Sequence, residues 1–525
     1  MGEKDKFALT QAEINGRLTH TGFHRCQRFV TDWLAKADPI TGLIPRNLDD
    51  SSHLWNAKDA AADNYPFMVL TAALTDQDLF QGRMLDMLHT ETRLTSRLGS
   101  LPDTYSFDKK GFEDQEYDLY QLLFGSSEYI KDGLLPLTEW LGPSPWSKRM
   151  TDILDDIWKY APVNTIYGTI PSTNVELNGE MLQVLSRVYW MTGERKYLEW
   201  ALRLGDYYLL GDHHPTRNFE VLRLRDHGCE IVSGLCELYA TLSIAIPEKK
   251  EIYKPHIHQM LDRILAVGRN GDGLFFNAIA PVTGTVKWEG IADNFGYTLN
   301  GFYTVFQIDS VAAYRKAALK ALGILNQKYR NFDWEQGSSD GYADAIEGAL
   351  NLYAREPIAS TKEWLDSEIH VMWSLQDSSY RKSAQQWKGS GIIEGWHGDG
   401  NFARTTLMYC LWKTQGTMMQ PWRPDIHLGA AKGDNGVILS IQLEQDWEGI
   451  LKFDPPRHKT IMKMPEDWPR INQFPEWFTV NADKTYLVED FIANTSKSFT
   501  GKQLLEGIAL NLLKNKHHII KVRVL

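Results

Sequence analysis

Hydrophobic and polar positions divide most of the chain into two alternating kinds of helical segment. Residues 24–37, 77–97, 148–160, 195–211, 250–268, 310–330 and 360–377 carry apolar side chains at helical spacing, with charges on the opposite face. In "GERKYLEWALRLGDYYLL", Tyr197, Leu198, Ala201, Leu202, Leu204 and Tyr208 form the apolar stripe. Glu194, Arg195, Lys196, Glu199 and Arg203 form the wet face. Between them lie residues 58–74, 115–139, 176–192, 228–246, 294–308, 341–354 and 401–415. These are apolar nearly all round, as in "CEIVSGLCELYATLSIAI", and use Gly and Ala for close approach. A wet helix alternating with a dry one predicts a mainly α fold, an (α/α)6 or (α/α)7 toroid with the dry helices as its inner ring. A solenoid of helical hairpins is the competing arrangement, but no motif of fixed period supports it.

The pattern changes after Pro421. "GVILSIQLEQDWEGILKF", "EWFTVNADKTYLVED" and "HHIIKVRVL" mix β-branched residues and period-2 stretches with Asp, Gly and Asn punctuation. Two domains follow from this: a helical barrel over 1–425 that carries the chemistry, and a small antiparallel β-sandwich over 426–525.

Composition narrows the function. A net charge of −11 lacks the basic stripe that nucleic-acid binding requires. The 18 tryptophans, 22 tyrosines and 21 phenylalanines suit stacking on sugar rings as well as a large core. Cys26, Cys229, Cys236 and Cys410 show no zinc-ligand spacing and read as buried thiols. "RNGDGLFF" is a calcium-loop fragment without the remaining ligands and reads as a turn. No glycine-rich phosphate loop is present, so neither a metal nor another cofactor is expected. No run reaches the length of a membrane span, and "MGEKDKFALTQAEI" lacks the apolar core of a signal peptide. A cytoplasmic chain and a mature chain without its leader both fit that start.

Candidate chemistry sits at one place in the pattern, the N-terminal ends of dry helices. The clusters are "WNAKDAAADN", "STNVELNGE", "RLRDHGCE", "WEGIADNFGY", "SSDGYADAIE" and "GWHGDGN". Parallel inner helices would bring all six to one mouth. Helix capping alone explains single acids such as Asp226, Asp293, Asp340 and Asp399. It does not explain the aromatics, histidines and arginines beside them. Trp55, Trp396, His227, His397, Arg225 and Arg404 instead suggest a sugar-lined pocket, joined by Asp63, Asn64, Asn178, Tyr297 and Tyr342. Glycoside cleavage uses one protonated and one ionised carboxyl group. Helix N-termini favour the ionised form, which suits Asp226, Asp293, Asp340 and Asp399 to base or nucleophile roles. Glu394, after Ile392 and Ile393, and Glu176 are the candidates for general acid. Arg225 and Arg404 offer bidentate contacts to a substrate carboxylate.

"WNAKDAAADNYPFMVLTA", "LRDHGCEIVSGLCELYA" and "IIEGWHGDGNFARTTLMYCLWKTQG" resemble the β-glucuronidases of glycoside hydrolase family 154, carbohydrate-active enzymes with an (α/α) barrel and a C-terminal β-sandwich. The resemblance implies exo-acting removal of glucuronic acid from an oligo- or polysaccharide, in a periplasmic or secreted setting of a gut-type bacterium, with assembly into a homo-oligomer left open. Three other readings compete. A polysaccharide lyase would use Tyr297, Tyr342 or a histidine as base, with Asn178 or Asn294 against the uronate. A sugar epimerase would use paired histidines. A non-catalytic glycan-binding protein would not need so many ionisable groups at one mouth.

Overall fold

A computed structural model of the chain describes residues 2–377 and 382–525. The protein is mainly helical, with small antiparallel sheets. Each dry segment forms a helix: Tyr65–Thr75 after the π-helical turn Ala57–Asn64, then Leu119–Glu128 continued through Tyr129–Leu134 to Leu135–Leu141, then Val175–Thr192, Cys229–Ala245, Phe295–Asp309, Ser339–Tyr353 and Gly398–Lys413. Each of these seven packs against the next, and Gly398–Lys413 returns to Ala57–Asn64 and Tyr65–Thr75, so the dry helices close a ring. Glycines permit the approach. A Cβ at Gly234 would stand 2.4 Å from the Gly179 carbonyl, and one at Gly296 would stand 2.4 Å from the Gly348 Cα. The wet helices, among them Pro145–Lys159, Arg195–Leu209, Pro247–Val267, Ala312–Lys328 and Ala359–Asp377, lie outside.

One feature departs from the sequence expectation. The first helix runs over Glu3–Leu34 rather than starting near residue 24. Its early turns bury small residues such as Ala8, Ala12 and Gly16, and they pack on strand His427–Gly433. Asn15 donates to the Ala430 carbonyl at 2.8 Å, and Lys521 pairs with Asp5 at 2.6 Å. The C-terminal part carries small antiparallel sheets. It holds a three-stranded sheet (Met418–Gln420, Trp447–Lys452, Ile508–Leu512) and a five-stranded sheet (His427–Gly433, Gly436–Gln442, His518–Val524, Thr485–Asp490, Thr495–Thr500). Leu451, Ile508 and Leu512 of one sheet share an apolar cluster with Leu439, Tyr486 and Ile520 of the other.

This part is not confined to its own core. Met462, Met464, Trp468 and Phe474 belong to the helical core. The segment 467–474 enters the ring from the C-terminal ends of the inner helices. Arg470 pairs with Glu139 at 3.1 Å, Trp468 Nε1 donates to Glu237 at 3.1 Å, and Arg187 pairs with Glu237 at 2.7 Å. The ring is therefore open at one end and stoppered at the other. Among the described residues no helix is long and apolar enough to cross a membrane.

Glu237 serves two buried donors, so Glu237→Ala leaves the Arg187 guanidinium only the more distant Glu139 carboxylate at 3.9 Å. Urea unfolding of that variant should show a loss of about 3–5 kcal/mol.

Candidate functional site

The open end leads to a cavity of about 230 Å³, lined by the inner helices and the turns that precede them. Its acids come in pairs four residues apart: Asp59 and Asp63, Glu128 and Asp132, Glu176 and Glu180, Asp226 and Glu230, Asp340 and Asp344. Four residues is about one helical turn, so both members of each pair point inward. The first two pairs ride on π-helical turns, which recur at functional sites because they turn extra side chains to one face. Gly400 allows the last inner helix to meet the first. Its backbone N–H donates to Asn64 Oδ1 at 2.8 Å, and a Cβ there would lie 2.1 Å from the Asp63 carbonyl.

Two histidines divide these acids. His397 Nδ1 lies 3.4 Å from Asp59 and 3.9 Å from Asp63. Burial would raise the Asp59 carboxyl, but contacts to His397, Asn56 and Arg46 hold it well below the usual range. Asp63 lacks that compensation. Burial and the charges of Asp132 and Asp59 outweigh His397 and push it up to about 7. Asp340 also rises to about 7, through burial and the charges of Glu335, Asp226 and Asp63. His227, at φ 64°, sits between two carboxylates. Its Nδ1 contacts Glu176, and its Nε2 lies 3.1 Å from Asp226. The bond to Glu176 and the charge of Asp226 raise His227 to about 9. Burial opposes ionisation of Asp226, yet His227, Lys131 and Arg225 keep it below its ordinary value. The cavity thus holds ionised and proton-carrying carboxyls side by side.

Arg404 organises the floor. It pairs with Asp344 at 2.7 Å and Glu347 at 3.1 Å, and it donates to Asn401 and Asn472 at 3.0 Å each. Asn472, on the stopper, also donates to Asp132 at 2.6 Å, and its backbone N–H meets Glu347 at 2.6 Å. The Tyr297 hydroxyl contacts Asp344 at 2.8 Å and Glu347 at 2.6 Å, and burial raises it well above an ordinary phenol.

Asp63, Glu176, Asp226, His227, Tyr297, Asp340, His397 and Arg404 line this cavity; the other residues singled out in the sequence lie around it. Asp399 accepts from the Ile393 and Glu394 backbone at 2.9 Å and from Trp33 Nε1 at 3.0 Å, so it fastens its own loop. Glu394 accepts from the Ser339 backbone at 3.2 Å. Asp293 is buried beside the ring and is raised to about 8 by burial and by Asp344. Arg225 is taken by Glu335 at 2.8 Å and lies over the Trp288 ring. Trp55 and Tyr342 are buried and offer no face to a sugar. Trp396 is half-buried with Arg46 over its ring. Asn64 binds Gly400, and Asn178 binds Tyr208 at 3.0 Å, both within the protein. Asp59, Glu128, Lys131, Asp132, Glu180, Glu230, Asp344, Asn401 and Asn472 also line the cavity, although none stands out in the sequence. The four-residue spacing of the acids was the signal that would have found most of them.

No protein-family model matches the chain, and no curated protein matches it. Solved structures with partial similarity include a glycoside hydrolase family 76 mannosidase from Bacteroides thetaiotaomicron VPI-5482 (14% identity, TM-score 0.41, 62% of this chain and 96% of that one). They also include an unsaturated glucuronyl hydrolase from Bacillus sp. GL1 (11%, 0.38, 56% and 86%) and a D-mannose isomerase (14%, 0.42, 60% and 85%).

His227 gains its proton from folding: its value of about 9 lies above the ordinary 6.5. The stability linked to that proton is complete below pH 6.5 and is lost as pH rises through 9. Histidine NMR should place its titration near pH 9, and His227→Ala should flatten stability across that window.

Proposed function

We propose that the protein is a glycoside hydrolase that removes a terminal uronic acid from a glycan, built on an (α/α)7 toroid with a C-terminal β-sandwich. The observation that carries this reading is the split in protonation within one cavity. Asp226 is held ionised, while Asp63 is held with its proton to about pH 7. Two carboxyl groups driven apart by their surroundings are the means by which glycosidic bonds are cleaved near neutral pH. Asp63 takes the role of general acid to the leaving oxygen. His397 stands 3.9 Å from Asp63, whereas Asp340 is engaged by Asn401 at 2.7 Å. Asp226 acts as the base.

Exo action follows from the stopper, since a cavity closed by Asn472 takes a chain end rather than threading a chain. The uronate reading is supported by the cations at the mouth. Lys58 lines the cavity without an ion pair to another described residue, and His227 and His397 are both held protonated. Arg404 is committed to Asp344 and Glu347 and serves as an anchor instead of a substrate clamp. The raised Tyr297 phenol is a poor base, which weighs against a lyase.

Incubation with a panel of aryl glycosides and a uronate-containing glycan tests this directly. Free saturated uronate should be released from an aryl β-glucuronide with no rise in ultraviolet absorbance. A rise without release would mean a lyase, and neither would mean a binding protein. Asp63→Asn and Asp226→Asn should each lower kcat by roughly 10²–10⁴-fold with the fold intact, and Asp340→Asn should cost less. The kcat/KM profile should be bell-shaped, with its alkaline limb near pH 7 set by Asp63.

A further inference from the structure

One wall of the cavity carries a carboxyl cluster that the proposed hydrolysis does not use. Carboxylate oxygens of Glu128, Asp132 and Glu180 all lie within 4.8 Å of one another. Glu128 and Asp132 stand one turn apart where Leu119–Glu128 passes into the π-helical turn Tyr129–Leu134, and Glu180 comes from the second turn of Val175–Thr192. Crowding three acids in this way needs positive charge or protons, and Lys131 supplies only part of it. Its ammonium lies 2.7 Å from Asp132 Oδ1, the same oxygen that accepts from Asn472 at 2.6 Å, which leaves Oδ2 outside both contacts. Glu180 is 1% exposed, and its Oε2 is buried without a hydrogen-bond partner among the described residues. Buried carboxylate oxygens are rarely left this way, because a desolvated acceptor with no donor is costly.

We propose that Glu128, Asp132 and Glu180 bind a hard divalent cation of the calcium class. An all-oxygen ligand set selects Ca²⁺ or its hard relatives over zinc or copper. Lys131 and Asn472 both hold Asp132 through Oδ1, as outer-shell partners hold metal ligands. Burial and neighbouring acids raise the Glu128 and Glu180 carboxyls, so a cation competes with protons there and its binding weakens at acid pH. Glu128 also lies within 4.8 Å of Glu176 and His227, so a cation here would fix the neighbours of Asp226. The site departs from the expectation of no metal because its ligands come from two helices and form no local motif. It stands on this geometry whether or not the protein cleaves glycosides.

Isothermal titration of the chelator-washed, full-length protein with Ca²⁺, Mg²⁺ and Mn²⁺, together with thermal unfolding, tests the proposal. One Ca²⁺ should bind saturably with proton release, and the Tm should rise with Ca²⁺ concentration. Glu180→Gln should weaken that binding by about 10-fold or more, and Glu128→Gln makes the same test should the first variant fail to fold. Absence of saturable heat and of a Tm rise with all three cations would overturn the site. So would equal affinity in the variant and the wild type, or tighter binding of Mg²⁺ or Mn²⁺ than of Ca²⁺.

Discussion

Like charges drawn out of water must be neutralised, and the cavity is organised by that constraint. Five inner helices each present two acids to one small space. Unscreened carboxylates at that density repel one another and lose hydration, so some must hold protons and others must be paired. His397 and His227 do part of the pairing, Lys131 and Arg404 do more, and protons on Asp63, Asp340 and Glu230 account for much of the rest. The same balance that makes the ring tolerable produces its chemistry. A group kept protonated near neutral pH can donate, and a group kept ionised beside it can accept.

The two ends of the ring have opposite tasks. At the N-terminal ends of the inner helices, unsatisfied N–H groups and inward acids leave an opening. At the C-terminal ends, segment 467–474 brings Trp468, Arg470 and Asn472 into contact with Glu237, Glu139 and Glu347. Asn472 belongs to the sheet-bearing part of the chain yet touches Arg404 and Asp132 inside the cavity. The C-terminal part is therefore a structural component of the site.

Much of the helical layout is legible in the amino-acid pattern, because a helix wet on one side and a helix dry on all sides differ in every turn. The ends of helices are also legible: Asp226, Asp340, Glu176 and His397 stand out beside glycines and caps. The second acid of each pair is harder to read. Glu180, Glu230 and Asp344 look like ordinary helix residues until their four-residue distance from the preceding acid is noticed. That spacing is costly for a helix, since like charges one turn apart repel, and it needs a reason beyond capping. Glu394 and Asp399 mislead in the opposite way. They sit in a loop rich in glycine and aromatics, and their oxygens are spent on the backbone amides of that loop and of its neighbour. Asn472 is not legible at all, because only the tertiary path carries a loop between strands into the ring.

The chemistry of the cavity depends on carboxyl groups that keep their protons in the folded protein. Carbon-13 NMR of the side-chain carboxyls, followed through a pH titration, measures this without reference to any substrate. Asp63 and Asp340 should titrate near pH 7, while Asp59 and Asp226 stay ionised below the usual carboxylate range. Ordinary titration of all four between about pH 3 and 5 would contradict the proposed division of acid from base.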